Sequence, residues 1–241
     1  MTAHQRYFLI LSTIFLIVFL LLAIDPFNRA DWALENFAVL IFALVMAWTY
    51  KRFTFSRISY TLIFIFMCLH ELGAHYTYSR VPYDAFLMKH FDFSLSETMG
   101  WSRNHYDRFV HFLYGLTMAY PFREVYCRLT YSKGFWGYFF PLLFTIAASL
   151  SFELFEWAAA EIFGGDLGMA FLGTQGDVWD AHKDMGLASL GAVVTMIFTA
   201  GVRIQLQKDF FKEWRNSLRV KRKKPMGEEE IERLLEEQHK K

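Results

Sequence analysis

Only two cysteines, Cys68 and Cys127, occur in the 241 residues. They fall in or near different apolar stretches, at positions expected to reach opposite faces of a membrane. Neither a structural disulfide nor a thiolate metal site is therefore expected. Other signatures are missing too. No H-x-x-x-H or H-x-x-H-H box occurs, which argues against a desaturase-like di-iron enzyme. A Ser-Gly-His element of the kind lipid phosphatases carry is likewise absent. The glycines at 164, 165, 168, 173 and 176 follow no strand and match no phosphate loop. There is no internal repeat, so a transporter built from duplicated halves is not supported. Nothing in the placement of the basic residues suggests a nucleic-acid partner.

Long apolar runs, by contrast, are plentiful. Hydrophobic residues make up 54% of the chain, and 27 of them are phenylalanine. Runs of about 18 apolar residues read as membrane helices. Six spans are predicted, at about 7–24, 32–50, 57–79, 105–120, 135–163 and 181–205. The fold class expected is all-α, a polytopic membrane helical bundle. The first run reads as an uncleaved span, because LLAIDPF offers no small-residue cleavage site. Pro26, Pro82, Pro121 and the glycine-rich stretch 163–176 are expected to punctuate the connections.

Arg and Lys set the orientation, since cytoplasmic loops retain them. The turns holding Lys51, Arg52 and Arg57, and Arg123, Arg128 and Lys133, are basic. Segment 164–180 carries no Lys or Arg at all. With six spans, both termini are expected in the cytoplasm. The membrane domain is placed at 1–206 and a cytoplasmic tail at 207–241. In that tail Phe210, Phe211, Trp214 and Leu218 recur at helical spacing among Lys208, Lys212, Arg215, Arg219 and the basic run 221–224. This is the pattern of an amphipathic helix on an anionic inner leaflet. The remainder after Pro225 is expected to be solvated.

Ionisable side chains within a bilayer are costly, and each invites a functional reading. Here they collect at one end of the spans, predicted to be the outer one. His70, Glu71 and His75 end the third span. Asp107, Arg108 and His111 begin the fourth. Glu153 and Glu156 lie in the outer half of the fifth, and Asp177, Asp180, His182 and Asp184 lead into the sixth. The stretch HELGAH is one residue too long for the zinc-protease signature H-E-x-x-H. Its histidines, five apart, diverge by about 140° on a helix, whereas Glu71 and His75, four apart, share a face. Asp107/His111 repeat that acid–histidine spacing, and Asp180/Asp184 are also four apart.

Carboxylates crowded in a low-dielectric pocket repel each other, and a cation relieves the repulsion. The expected ligands of a divalent ion (zinc, manganese or iron) are Glu71, His75, Asp107, His111, Glu153, Asp180 and Asp184. Glu71, Asp107, Glu153 and Asp180 are candidate catalytic groups. His70, Arg108, Glu156, Asp177 and His182 are expected to support the ligands or to hold a substrate anion, with Arg80 and Arg103 near the same face. Paired acids and bases can also lock helices together without binding anything.

HELGAHYTYSRVPYD, NHYDRFVHFLYG, SFELFEW and GTQGDVWDAHKDMG together resemble the YjdF family of bacterial inner-membrane proteins, over residues 1–205. The resemblance implies a multi-pass fold in the bacterial inner membrane, surrounded by its lipids, more than it implies a reaction. A weaker likeness links Asp107, Arg108, His111 and Phe112, then Glu153, Asp180 and Asp184, to the VanZ-like membrane proteins. There Arg108 replaces a Lys, and Asp184 stands where that pattern has Asn. Three functions are open at this stage. One is a metal-dependent enzyme acting on a lipid or cell-envelope substrate near the periplasmic face. The others are a proton-coupled carrier or transporter and a non-catalytic sensor or scaffold.

Overall fold

The structure, a computed structural model, describes residues 1–165, 168, 172–221 and 225–239. Helices account for its regular structure, and no strand occurs among the described residues. The long helices are α1 (Ala3–Leu22), α2 (Arg29–Thr49), α3 (Arg57–His75), α6 (Tyr106–Thr130), α7 (Trp136–Phe163) and α8 (Asp180–Leu206). Two short helices, α4 (Tyr83–Phe91) and α5 (Leu95–Met99), fill the connection between α3 and α6. After α8 come α9 (Phe210–Ser217) and α10 (Met226–His239). Polar caps start several of them. Thr2 and Gln5 form a capping box at α1, and the Asn28 side chain accepts from the Ala30 and Asp31 amides.

Five of these helices, α1, α2, α3, α7 and α8, are long and apolar enough to cross a membrane. Their outward side chains, among them Leu16, Leu21, Leu44, Phe144, Ile197 and Phe198, are exposed. Such a coat suits lipid and would be unfavourable in water. The predicted fourth span, α6, is long enough at 25 residues but more polar. Its position explains the difference. It packs against α3, α7 and α8 at once, so most of its faces meet protein and have no need of lipid-compatible side chains.

The tightest of these contacts joins α6 to α8. Gly115 and Ala119 on α6 face Ala188, Gly191 and Ala192 on α8. A Cβ on Gly115 would lie 1.8 Å from the Ala188 carbonyl oxygen, and one on Gly191 would lie 2.1 Å from that of Phe112. Small residues four apart let two membrane helices meet backbone to backbone. Thr195 adds a hydroxyl bond to the Leu116 carbonyl.

Several boundaries differ from those predicted. The third span stops at His75, four residues early, because Thr77 and Tyr78 turn into the left-handed region (φ 50° and 51°). Tyr78 then folds back, its amide donating to the Gly73 carbonyl at 2.7 Å. The fourth span runs ten residues further than predicted, through Pro121. A proline removes one helical donor and usually ends or kinks a helix. Here the far segment is tied down by tertiary bonds. Glu124 accepts from the Ser56 amide (2.9 Å) and the Ser59 hydroxyl (2.6 Å), and Arg128 donates to the Thr54 carbonyl (2.6 Å).

The tail departs from expectation in how it uses its apolar face. Phe210 is buried, and with Trp214 it packs on Tyr138 of α7. Ser217 accepts from the Phe135 amide (2.9 Å) and, through its carbonyl, from the Trp136 indole (2.7 Å). Only Phe211 and Leu218 point outward. Thus α9 docks on the α6–α7 turn rather than presenting its whole apolar face to a bilayer. Of the basic run, 222–224 lie outside the described residues, as do 166, 167 and 169–171 of the glycine-rich stretch. Beyond Pro225, α10 has no buried residue.

Candidate functional site

At the end of the bundle where α2, α6 and α8 begin and α3 and α7 finish, five helices bring in ionisable groups. The centre is His111, buried in the second turn of α6. Its Nε2 lies 3.5 Å from Asp107 Oδ1, one turn earlier, and 3.5 Å from Glu153 Oε1 across on α7. Asp184, 2% exposed in the second turn of α8, completes the group. One donor atom each from Asp107, His111 and Asp184 lies within 4.8 Å of the other two. Glu153 Oε1 and Asp184 Oδ1 are buried and make no hydrogen bond. Unsatisfied buried carboxylate oxygens are expensive unless a proton or a cation joins them.

Beside this group stands an ion network. Arg103 holds Asp180 through two nitrogens, 2.7 Å to Oδ1 and 3.1 Å to Oδ2. Arg108 reaches Asp180 Oδ1 at 3.0 Å and also bonds Asp177. Lys183 joins Asp177 at 2.5 Å. The bond from Lys183, the Trp179 amide and Arg108 hold the Asp177 carboxyl well below the ordinary carboxylate range. Burial and then the charges of Arg108 and Arg103 lower the pKa of His105. The two arginines are thus bonded to acids of this chain, while the buried Nε of Arg108 keeps no partner.

On the other flank lie groups from α2 and α3. Asp31, Glu35 and Glu71 are 1%, 3% and 0% exposed. Glu35 is within electrostatic reach of Asp31, Asp107 and Glu71. Asn36 lies beside Glu71, yet neither Glu71 oxygen has a hydrogen bond of good geometry. His70 is bonded at Nδ1 to the Tyr78 hydroxyl; its buried Nε2 has no hydrogen bond of good geometry, with the Glu35 main chain near the ring.

The predicted residues therefore divide. Asp107, His111, Glu153 and Asp184 come together, with Glu156 close by on α7. Asp180 and Asp177 sit next to them but are engaged by Arg103, Arg108 and Lys183. Glu71 and His70 lie on the α2 side. His75 is not brought to the group, because its Nδ1 binds the Leu22 carbonyl at 2.8 Å and fastens the end of α1. His182 is exposed, with its ring against Trp179. Arg80 lies over the Phe27 ring, 4.1 Å from its centroid. Two acids went unpredicted, Asp31 and Glu35. They are four apart at the start of the second span, the same signal that marked Asp180 and Asp184.

Below the acids a cavity of about 290 Å³ runs between α2, α3, α6 and α7. Asp107, His111, His70, Tyr78 and Glu156 line one part of it. Most of the remaining wall is apolar, including Val39, Phe42, Met67, Met118, Phe122 and Phe152.

A multi-pass helical membrane protein with a buried acid–histidine centre is the class these features define. The family model described as "Predicted membrane protein (DUF2238)" matches residues 7–205, and the chain belongs to that family. It is 37% identical to "Inner membrane protein YjdF" of Escherichia coli (strain K12) over 196 residues, 80% of this chain and 90% of that one. No solved structure matches the chain.

Proposed function

We propose that this protein is a metal-dependent enzyme of the bacterial inner membrane, acting on a lipid or cell-envelope substrate near the periplasmic face. The observation that supports this most is the convergence of Asp107, His111 and Asp184 donor atoms within 4.8 Å, with an unsatisfied Glu153 oxygen next to His111. Three carboxylates and one imidazole suit zinc, manganese or iron. A bound divalent ion would supply Lewis acidity, lowering the pKa of a water or polarising a carbonyl. The chain's own groups would do the rest. Asp107, His111 and Asp184 would hold the ion, and Glu153 would be placed to accept a proton from a water there. The Arg103–Asp180–Arg108 network fixes the start of α8 against α6. By the positive-inside pattern, both termini lie in the cytoplasm and the site faces the periplasm. The 207–241 tail then sits at the inner leaflet, with Lys208, Lys212, Arg215 and Arg219 near its anionic lipids. A carrier is less well supported, because the cavity wall below the acids is apolar and offers no ladder of polar groups.

Elemental analysis of the purified protein tests the reading. About one divalent ion per chain is expected, lost in Asp107→Asn, His111→Ala and Asp184→Asn while fold and expression persist. Metal-free protein that also fails to take up zinc, manganese or iron on reconstitution would remove it.

A further inference from the structure

We infer that the cavity holds the acyl chain of an amphiphile whose polar end is an uncharged carbonyl group, such as an ester or amide, rather than a phosphate. This deepens the metal-enzyme reading by naming its substrate class, and it rests on that reading for the role of the polar end. The chain-binding part stands on geometry alone. Asp107 and Phe122 both line the cavity, fifteen residues apart on α6, or about 22 Å along the helix. That exceeds the roughly 15 Å of one leaflet's hydrocarbon depth. Below the acids the wall is mostly aliphatic and aromatic, with Ser149 and the small residues Ala38 of α2 and Ala148 of α7 among it.

Lipid has a way in. Helix α2 meets α3 only sparsely, and toward α7 it stacks Phe37 on Phe155, centroids 6.3 Å apart. Phe37 is also exposed on the outer surface. Exposed aromatic side chains such as Phe37 rotate on a fast timescale, so a sparsely packed α2 edge can admit a chain from the lipid.

Charge selects the polar end. A headgroup at the top of the cavity meets Asp107, Glu156, His111, His70 and Tyr78. Glu153, Asp184 and Glu35 stand behind them. The nearby cations Arg103 and Arg108 are bonded to Asp177 and Asp180 and do not line the cavity. A phosphate would bring full negative charge to a cavity whose lining holds no Arg or Lys to pair it, beside more carboxylates than one divalent ion neutralises. A carbonyl oxygen carries no such cost and accepts from a donor such as the Nε2 of His70, which has no hydrogen bond of good geometry.

The test is photo-labelling of the full chain in nanodiscs by two diazirine probes of equal chain length, a monoacylglycerol and a lysophosphatidic acid. Monoacylglycerol labels are expected on α6 and α7 peptides from the cavity wall. Ala38→Trp and Ala148→Trp, which fill the cavity from two helices, should each lower labelling about tenfold, because a packed slot excludes the chain. Leu150→Trp on the exposed face of α7 should leave it unchanged. The phosphate probe should label at least about fivefold less at neutral pH, given the like-charge repulsion. Equal labelling by both probes overturns the charge assignment. Labelling that survives both tryptophans in folded protein overturns the cavity assignment. Repeating the experiment with chelator separates this from the parent reading. Chain labelling that persists in protein shown to bind no metal leaves the cavity occupant standing and removes the metal. Metal binding without chain labelling does the reverse.

Discussion

Arg103, from the loop before α6, grips Asp180, the first residue of α8, with two parallel bonds of 2.7 and 3.1 Å. The pair is mostly buried, at 12% and 3% side-chain exposure. It fastens the loop to the helix that carries Asp184 one turn further on. Arg103→Lys should be markedly destabilising, since an ammonium cannot make the forked contact. Asp180→Asn should cost about 3 kcal/mol, because it leaves two guanidinium groups short of a buried counter-charge. Thermal unfolding in detergent measures both.

Gly115→Ala is expected to be among the most damaging single changes. The added methyl would meet the Ala188 carbonyl oxygen at 1.8 Å, and backbone cannot step aside as a side chain can. Separation of α6 from α8 should cost about 3 kcal/mol, the upper end of the usual cost of overpacking a close contact. Because His111 and Asp184 lie on these two helices, any metal affinity should fall with it.

His75→Ala and His111→Ala should behave in opposite ways. His75 fastens the end of α1 through the Leu22 carbonyl. Its loss should cost about 1 kcal/mol, the usual worth of one such bond, and leave metal content unchanged. His111→Ala should abolish metal uptake. Stability and elemental analysis on the same two samples distinguish them.

Acid should loosen the ion network at the start of α8 only below the ordinary carboxylate range. The folded Asp177 carboxyl is held below its ordinary value, chiefly by Lys183. Its contribution to stability is therefore present above the unfolded carboxylate pKa of about 3.9 and fades as pH falls below it. Asp177→Asn should flatten the part of a stability profile that lies below about pH 4, with no change above it. An unchanged slope would show that other carboxylates dominate.

Docking of α9 is tested by Trp214→Ala. With the Phe210–Trp214–Tyr138 cluster disrupted, limited proteolysis should cut near 206–210 faster than in the parent protein. The membrane helices should remain protected, since little else depends on the contact.

Much of this architecture was readable from the chain, and the reasons are local. Apolar runs are continuous in sequence, so six spans were read from them; five of the helices are apolar enough to cross a membrane, and α6 is the more polar one. The i,i+4 acid–histidine pair at 107 and 111 was predictable because helix geometry alone places residues four apart on one face. The same rule applied to Asp31 and Glu35 would have brought α2 into the site. Errors arose where neighbours in space overrule neighbours in sequence. Pro121 looked like a stop, but Glu124 and Arg128 have partners at 54–59 that carry the helix onward. The tail looked like a free amphipathic helix, but Tyr138 covers part of its apolar side.

By itself, then, the sequence determined that the protein is a helical membrane bundle and that its acids and imidazoles gather at one end. Both follow from interactions within single helices and from the cost of charge in lipid. Which of those groups meet was decided only by the tertiary structure. The rotation of each helix is set by contacts such as Gly115 against Ala188. That rotation turns His111 toward Glu153 and Asp184, turns His75 toward α1, and leaves Asp180 to the arginines.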